Sequence, residues 1–127
     1  MNNSRIKEIQ KSLRDSIHKR SQYLLTLVDR ATYFKTYGCF NRSYWQYKVK
    51  DLPSGMSQEA VYLLYLALKN NIFENITSKS RENLKDIIFN GIKYSLKTQH
   101  SNGSVDDYYP FEQASGVTAF TTYGILN

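Results

Sequence analysis

The 127-residue chain, 41% hydrophobic and 22% charged, has the balance of one folded domain, which excludes wholesale disorder and a two-domain organisation. Its single cysteine, Cys39, excludes an internal disulfide and a cysteine-based zinc cluster, and the sequence shows neither a signal-peptide pattern nor a run of membrane-spanning length, predicting a soluble, cytoplasmic protein. The net charge of +6 is uneven, because residues 1–50 hold eleven Lys or Arg against three acids and residues 51–127 hold six against eight, an asymmetry that marks either an ordinary basic outer face, the favoured reading, or attraction to nucleic acid, anionic lipid or an acidic partner.

In chain order, Ile6, Ile9, Leu13, Ile17, Leu24, Leu27, Val28 and Ala31 recur at helical spacing, with Lys7, Lys11, Arg14 and His18 on a neighbouring polar stripe. They predict a long amphipathic first helix that yields near Tyr33–Gly38. Residues 38–56 read as a long connection punctuated by Gly38, Asp51, Pro53, Ser54 and Gly55, with a short helical turn around Ser43–Tyr47. Ser57 is the expected N-cap of a second helix that runs to about Asn70, with Gln58 and Glu59 in its first turn. The centre of that helix, Ala60–Leu68, is apolar on nearly every side, so it is expected to be buried. Ser80 is the expected cap of a third helix with Leu84, Ile87, Ile88, Gly91 and Ile92 on one face and Arg81, Glu82, Lys85, Asp86, Lys93 and Lys97 on the other. After a loop from Gln99 to Pro110, Ser115–Leu126 is again apolar around most of its circumference and predicts a second buried helix.

One-sided and buried helices thus alternate, as expected for two layers of antiparallel helices. At the end of the third helix Tyr94 is followed five positions later by Gln99 and then by a glycine turn at Gly103. This spacing resembles the repeat signature of the α/α-toroid proteins, the terpenoid cyclases and protein prenyltransferases among them, over about residues 56–126. The resemblance implies an all-α fold of antiparallel helical hairpins forming a partial α/α toroid, with the whole of 1–127 an N-terminal arc or fragment of a larger barrel. It also implies that Gln99 bonds backbone groups at helix ends. Val105 stands where such repeats commonly carry Trp, and Ser104 stands where the cyclase acid motif asks for Asp, so cyclase activity does not transfer. The Asp, Cys and His set of prenyltransferase zinc chemistry is also missing around Cys39, and no cofactor is expected.

Two segments concentrate chemistry. In the loop after the third helix, Asp106, Asp107 and Glu112 are the candidate acid–base residues, with His100, Tyr108 and Tyr109 beside them as ligand-binding candidates. His100, next to two carboxylates, is a better candidate than His18. In the Tyr37–Lys48 connection, Arg42, Tyr44 and Trp45 place a cation and aromatic faces where a sugar or anionic ligand would be held. Both segments are rivalled by structural readings, since Asp caps turns and aromatic residues anchor loops. The expected ligand is a glycan or other polar small molecule. The alternative is a noncatalytic interaction module whose basic first helix meets a partner protein, the rest of a longer chain, or a nucleic acid, although no recognised nucleic-acid motif is present.

Overall fold

The computed structural model describes residues 2–127. Among them are five α-helices, α1 (Asn3–Leu25), α2 (Arg42–Trp45), α3 (Ala60–Lys69), α4 (Ser78–Thr98) and α5 (Ser115–Leu126), and a 3-10 turn (Gly55–Glu59) that leads directly into α3. No strand occurs among the described residues. None of the helices is long and apolar enough to cross a membrane.

The helix that is apolar almost all round becomes the axis of the fold, because only neighbours on several sides remove such a surface from water. Accordingly α3 contacts α1, α4 and α5. Val61, Leu64 and Leu68 of α3 join Leu84 and Ile88 of α4, and the connections contribute Val28 and Phe40 to the same core. Phe40 and Leu64 are almost wholly buried. Each such side chain contributes about 1.5–3 kcal/mol from burial, before the entropy of ordering it is counted.

Several boundaries differ from the sequence expectation. α1 stops at Leu25, short of Leu27, Val28 and Ala31, because the chain there turns into a hydrogen-bonded loop. The Arg30 guanidinium donates to the Leu25 carbonyl at 2.6 Å, closing one of the acceptors left open at a helix C-terminus. Beyond it, the Asp29 N–H donates to the Cys39 carbonyl and the Gly38 N–H donates to the Asp29 carbonyl, both at 2.9 Å. This pairing ties the two ends of the 29–39 loop together. Gly38 sits at φ +89°, and a Cβ there would collide with the Asn90 carbonyl of α4. The loop can therefore lie against the helix backbone only with glycine at this position.

Ser57 does not cap the second helix, since the chain enters it through the 3-10 turn with Ser54 at the preceding position. Thr77, not Ser80, caps α4: its hydroxyl oxygen accepts from the Ser80 N–H at 3.1 Å. α5 has the expected bounds but not the expected burial. Only Val117 and Thr121 are covered, while Phe120, Tyr123 and Leu126 are 63%, 59% and 79% exposed. The apolar circumference of α5 exceeds the surface that α3 and the 3-10 turn can cover.

Candidate functional site

Gln58 is the polar centre of the molecule. It is 3% exposed, and its side chain has four polar neighbours within hydrogen-bond distance. Oε1 accepts from the Phe40 N–H at 2.7 Å, and the two N–H groups of Nε2 serve the carbonyls of Gly38 and Gly91 at 3.3 and 3.1 Å, with the Ser95 hydroxyl oxygen close by at 3.4 Å. One amide thereby joins the 29–41 loop, the entrance of α3 and the middle of α4. Buried backbone groups that would otherwise lack partners are paired through it.

A cleft of about 350 Å³ opens over this amide. Thr36 and Tyr44 come from the first long connection, Ser54 and Gly55 from the entrance of α3, Lys97 and Thr98 from the end of α4, and Val105 and Asp106 from the loop beyond. Its volume falls at the lower end of small-molecule sites, about 300–1,000 Å³. Lys35 and Lys97 mark one edge, where the Lys97 ammonium donates to the Lys35 carbonyl at 2.7 Å. Inside, Tyr94 and Cys39 are buried against each other. Burial pushes the Tyr94 phenol well above its ordinary value, and the neighbouring thiol pushes in the same direction. Burial likewise raises the Cys39 thiol, so neither group supplies an anionic nucleophile at neutral pH.

The far wall is a loop built around its own carboxylates. Asp106 Oδ1 accepts from the Gln113 N–H and Oδ2 from the Phe111 N–H, each at 2.9 Å. His100 Nε2 lies 2.9 Å from Asp106 Oδ1 and, with the carboxylate ionised, is the donor of that contact. Burial opposes the ionisation of Asp106, but the Gln113, His100 and Phe111 donors together outweigh it and hold its carboxyl below the ordinary value. The Glu112 carboxylate accepts from the N–H groups of Asp107, Tyr108 and Tyr109 at 3.0, 2.9 and 3.4 Å. The Tyr108 and Asp107 donors lower its pKa most, against smaller opposing effects of burial and of Asp106. Asp107 is buried and accepts the Ser54 hydroxyl. Beside it, burial raises the Glu59 carboxyl and the charge of Asp107 adds to the shift, while Glu59 Oε1 is buried without a hydrogen-bond partner.

The residues singled out in the sequence are thus divided. Tyr44 and Asp106 line the cleft, and His100 reaches it through its contact with Asp106. Tyr108 and Tyr109 face a separate groove against Val49–Leu52, where the Lys50 ammonium lies 5.6 Å from the Tyr108 ring centroid. Arg42 stays on its own short helix, bonded to Gln46 and 5.3 Å from the Tyr47 ring centroid. The Trp45 indole donates to the Leu27 carbonyl at 2.8 Å and anchors the connection to the end of α1. Gln99 leaves α4 in extended geometry, and among the described residues its side chain makes no hydrogen bond; the amide that joins segments is Gln58, bonded to the 29–41 loop and to the interior of α4. The turn it leads into does form, with the Gly103 N–H donating to the His100 carbonyl at 2.8 Å and Gly103 at φ +83°. Val105 is buried, and a Cβ on Gly55 would come within 2.6 Å of its methyl group, so the two segments meet at a glycine contact. In the sequence Gln58 reads as a first-turn residue and Ser54 as punctuation of the 38–56 connection, so neither marks a site there.

Among the described residues no group of three or more His, Cys, Asp or Glu is placed to hold a metal ion. No protein-family profile, curated protein or solved structure matches the chain.

Proposed function

We propose that this chain is a binding domain for a polar, hydroxyl-bearing small molecule of the sugar class, seated in the cleft over Gln58. The observation that carries the reading is the meeting there of Tyr44 from the Tyr37–Lys48 connection and Asp106 from the loop after α4, with Thr36, Ser54, Lys97 and Thr98 around the same volume of about 350 Å³. The Thr36, Ser54 and Thr98 hydroxyls donate to Asp29, Asp107 and the Ser95 carbonyl, so what they offer a ligand is acceptor oxygen for its own hydroxyl groups, and a tyrosine ring covers an apolar sugar face. The reading is of binding and not turnover. A general acid must carry a proton at working pH, whereas Asp106 and Glu112 are held ionised by donors within their own loop.

The α/α-toroid arc is the architecture we infer around this site. Its support is the all-helical build and the Tyr94 to Gly103 turn, together with the exposed Phe120, Tyr123 and Leu126 on α5, a face that an adjoining helical layer would cover. That layer would be the remainder of a longer chain or a partner protein.

Titration of neutral and acidic mono- and disaccharides, followed by protein NMR, tests the ligand class. The reading expects amide shifts at Tyr44, Lys97 and Thr98, and about tenfold weaker binding in Tyr44→Ala and Lys97→Ala. Shifts confined to other surfaces, or none with any sugar, would reject it.

A further inference from the structure

A second cavity shares no lining residue with the cleft and stands independently of the ligand reading. It is a groove of about 450 Å³ between α1 and α3, with walls supplied by Ile17 and Leu24 on one side and Leu63, Leu66 and Ile72 on the other. Leu63 is 52% exposed although it lies in the central helix. The apolar track continues outward along α1, where Ile9, Leu13 and Ile17 follow one another at four-residue steps and all remain exposed. α1 has 23 residues and buries only Ser21, so most of this stripe has no intramolecular partner.

The charge that lines the groove has one sign. Arg14 and Arg20 line the groove and no acidic side chain does. The helix as a whole carries six Lys or Arg and two acids. Arg14 is held in place by donating to the Asn71 carbonyl at 2.8 Å, whereas Arg20 makes no hydrogen bond or ion pair among the described residues.

We propose that this groove receives an amphipathic helix of a partner protein, with apolar residues at i, i+3 or i+4, and i+7 entering between α1 and α3 and Asp or Glu beside them meeting Arg14 and Arg20. Helix-in-groove recognition needs a concave apolar channel with charges at its edges, and both are present. A bilayer is flat and is met by a convex apolar face, so the recess at Leu63 and Ile72 has no use there. Nucleic acid binds cations and leaves an apolar channel unfilled. A two-fold pairing of two copies through this groove would bring basic α1 against basic α1, which like-charge repulsion opposes.

The test uses the full chain and a designed acidic amphipathic peptide of about five helical turns, with a composition-matched scrambled peptide and a charge-reversed peptide as controls. Fluorescence anisotropy is expected to show the patterned acidic peptide binding at least about tenfold more tightly than either control, with a gain of helical circular dichroism. Leu63→Glu and Arg20→Glu are each expected to weaken it about tenfold while the far-ultraviolet spectrum of the free protein is unchanged. Leu63 is half exposed, so the first variant should fold; Arg20→Glu provides the second reading if it does not. Equal binding of the scrambled peptide, no binding of the patterned one, or no effect of either folded variant overturns the proposal. Preferential binding to phosphatidylserine vesicles or duplex DNA, or self-association in sedimentation that Leu63→Glu abolishes, also overturns it by assigning the surface to another occupant.

Discussion

The Ser54 hydroxyl donates to the buried Asp107 carboxylate across 53 positions of sequence. The contact fastens the loop after α4 to the entrance of α3. It is reinforced by the Gly55 N–H, which donates to the Asp106 carbonyl at 2.8 Å, and by the Thr121 hydroxyl, which donates to the Gly55 carbonyl at 3.3 Å. The cleft wall therefore depends on a polar seam between segments that share no helix.

Ser54→Ala removes a donor from a carboxylate that stays buried, and we expect it to destabilise the fold by about 1–3 kcal/mol. Urea denaturation followed by circular dichroism measures the loss. An unchanged midpoint would mean that Asp107 finds an equal partner in solvent.

Gln58→Leu nearly preserves side-chain volume but strands the Phe40 N–H and the Gly38 carbonyl, while the Gly91 carbonyl keeps the Ser95 hydroxyl as a donor. Each stranded group costs about 1–3 kcal/mol, so this variant is expected to be more damaging than Ser54→Ala. Hydrogen exchange gives a local check, since the Phe40 amide should lose protection before the amides of α4.

Gly38→Ala forces a Cβ into left-handed backbone at φ +89° and against the Asn90 carbonyl. The expected destabilisation exceeds about 1 kcal/mol. Thermal unfolding checks it, and a wild-type midpoint would show that the loop can lift from α4 without cost.

Asp106 and Glu112 titrate below their ordinary values of 3.8 and 4.5 in the folded protein. The unfolded chain then binds more protons between the two sets of values, so their stabilisation is complete above about pH 5 and is lost as pH falls through the folded values. Glu59 has the opposite sign, because its folded pKa is raised from 4.5 by burial and by Asp107. The native state keeps that proton longer, and stability falls as pH rises through the window above 4.5. Glu59→Gln is accordingly expected to raise stability near neutral pH and to flatten that fall, whereas Glu112→Gln should weaken the acid-side dependence. Denaturation midpoints measured from about pH 2 to pH 7 distinguish the two slopes.

Local periodicity determined what could be read directly. The stripe Leu84, Ile88 and Gly91 marks α4 and its buried face, and the apolar stretch from Ser115 to Leu126 marks α5 to the residue. Helix existence follows from spacing along one segment, so no knowledge of other segments is required. The all-α class was legible for the same reason.

Only the tertiary structure decided where the polar groups find partners and which apolar faces are covered. Val28 continues the helical rhythm of α1, yet Asp29 beside it ends the run by pairing with Gly38 and Cys39. Gln58 looks like a first-turn residue until Gly38 and Gly91, 20 and 33 positions away, bring their carbonyls to it. Asp106 and Glu112 stand in the sequence as bare carboxylates, and the curl of their loop is what surrounds them with N–H donors. Phe120 and Tyr123 suit a core and remain outside because α3 and the 3-10 turn have only so much surface to offer α5. Periodicity is a property of one segment, whereas the environment of a buried amide, a carboxylate or an apolar face is created by the segments that meet it. That difference made the helices readable from the chain alone and left the cleft over Gln58 and the groove beside Leu63 to the fold.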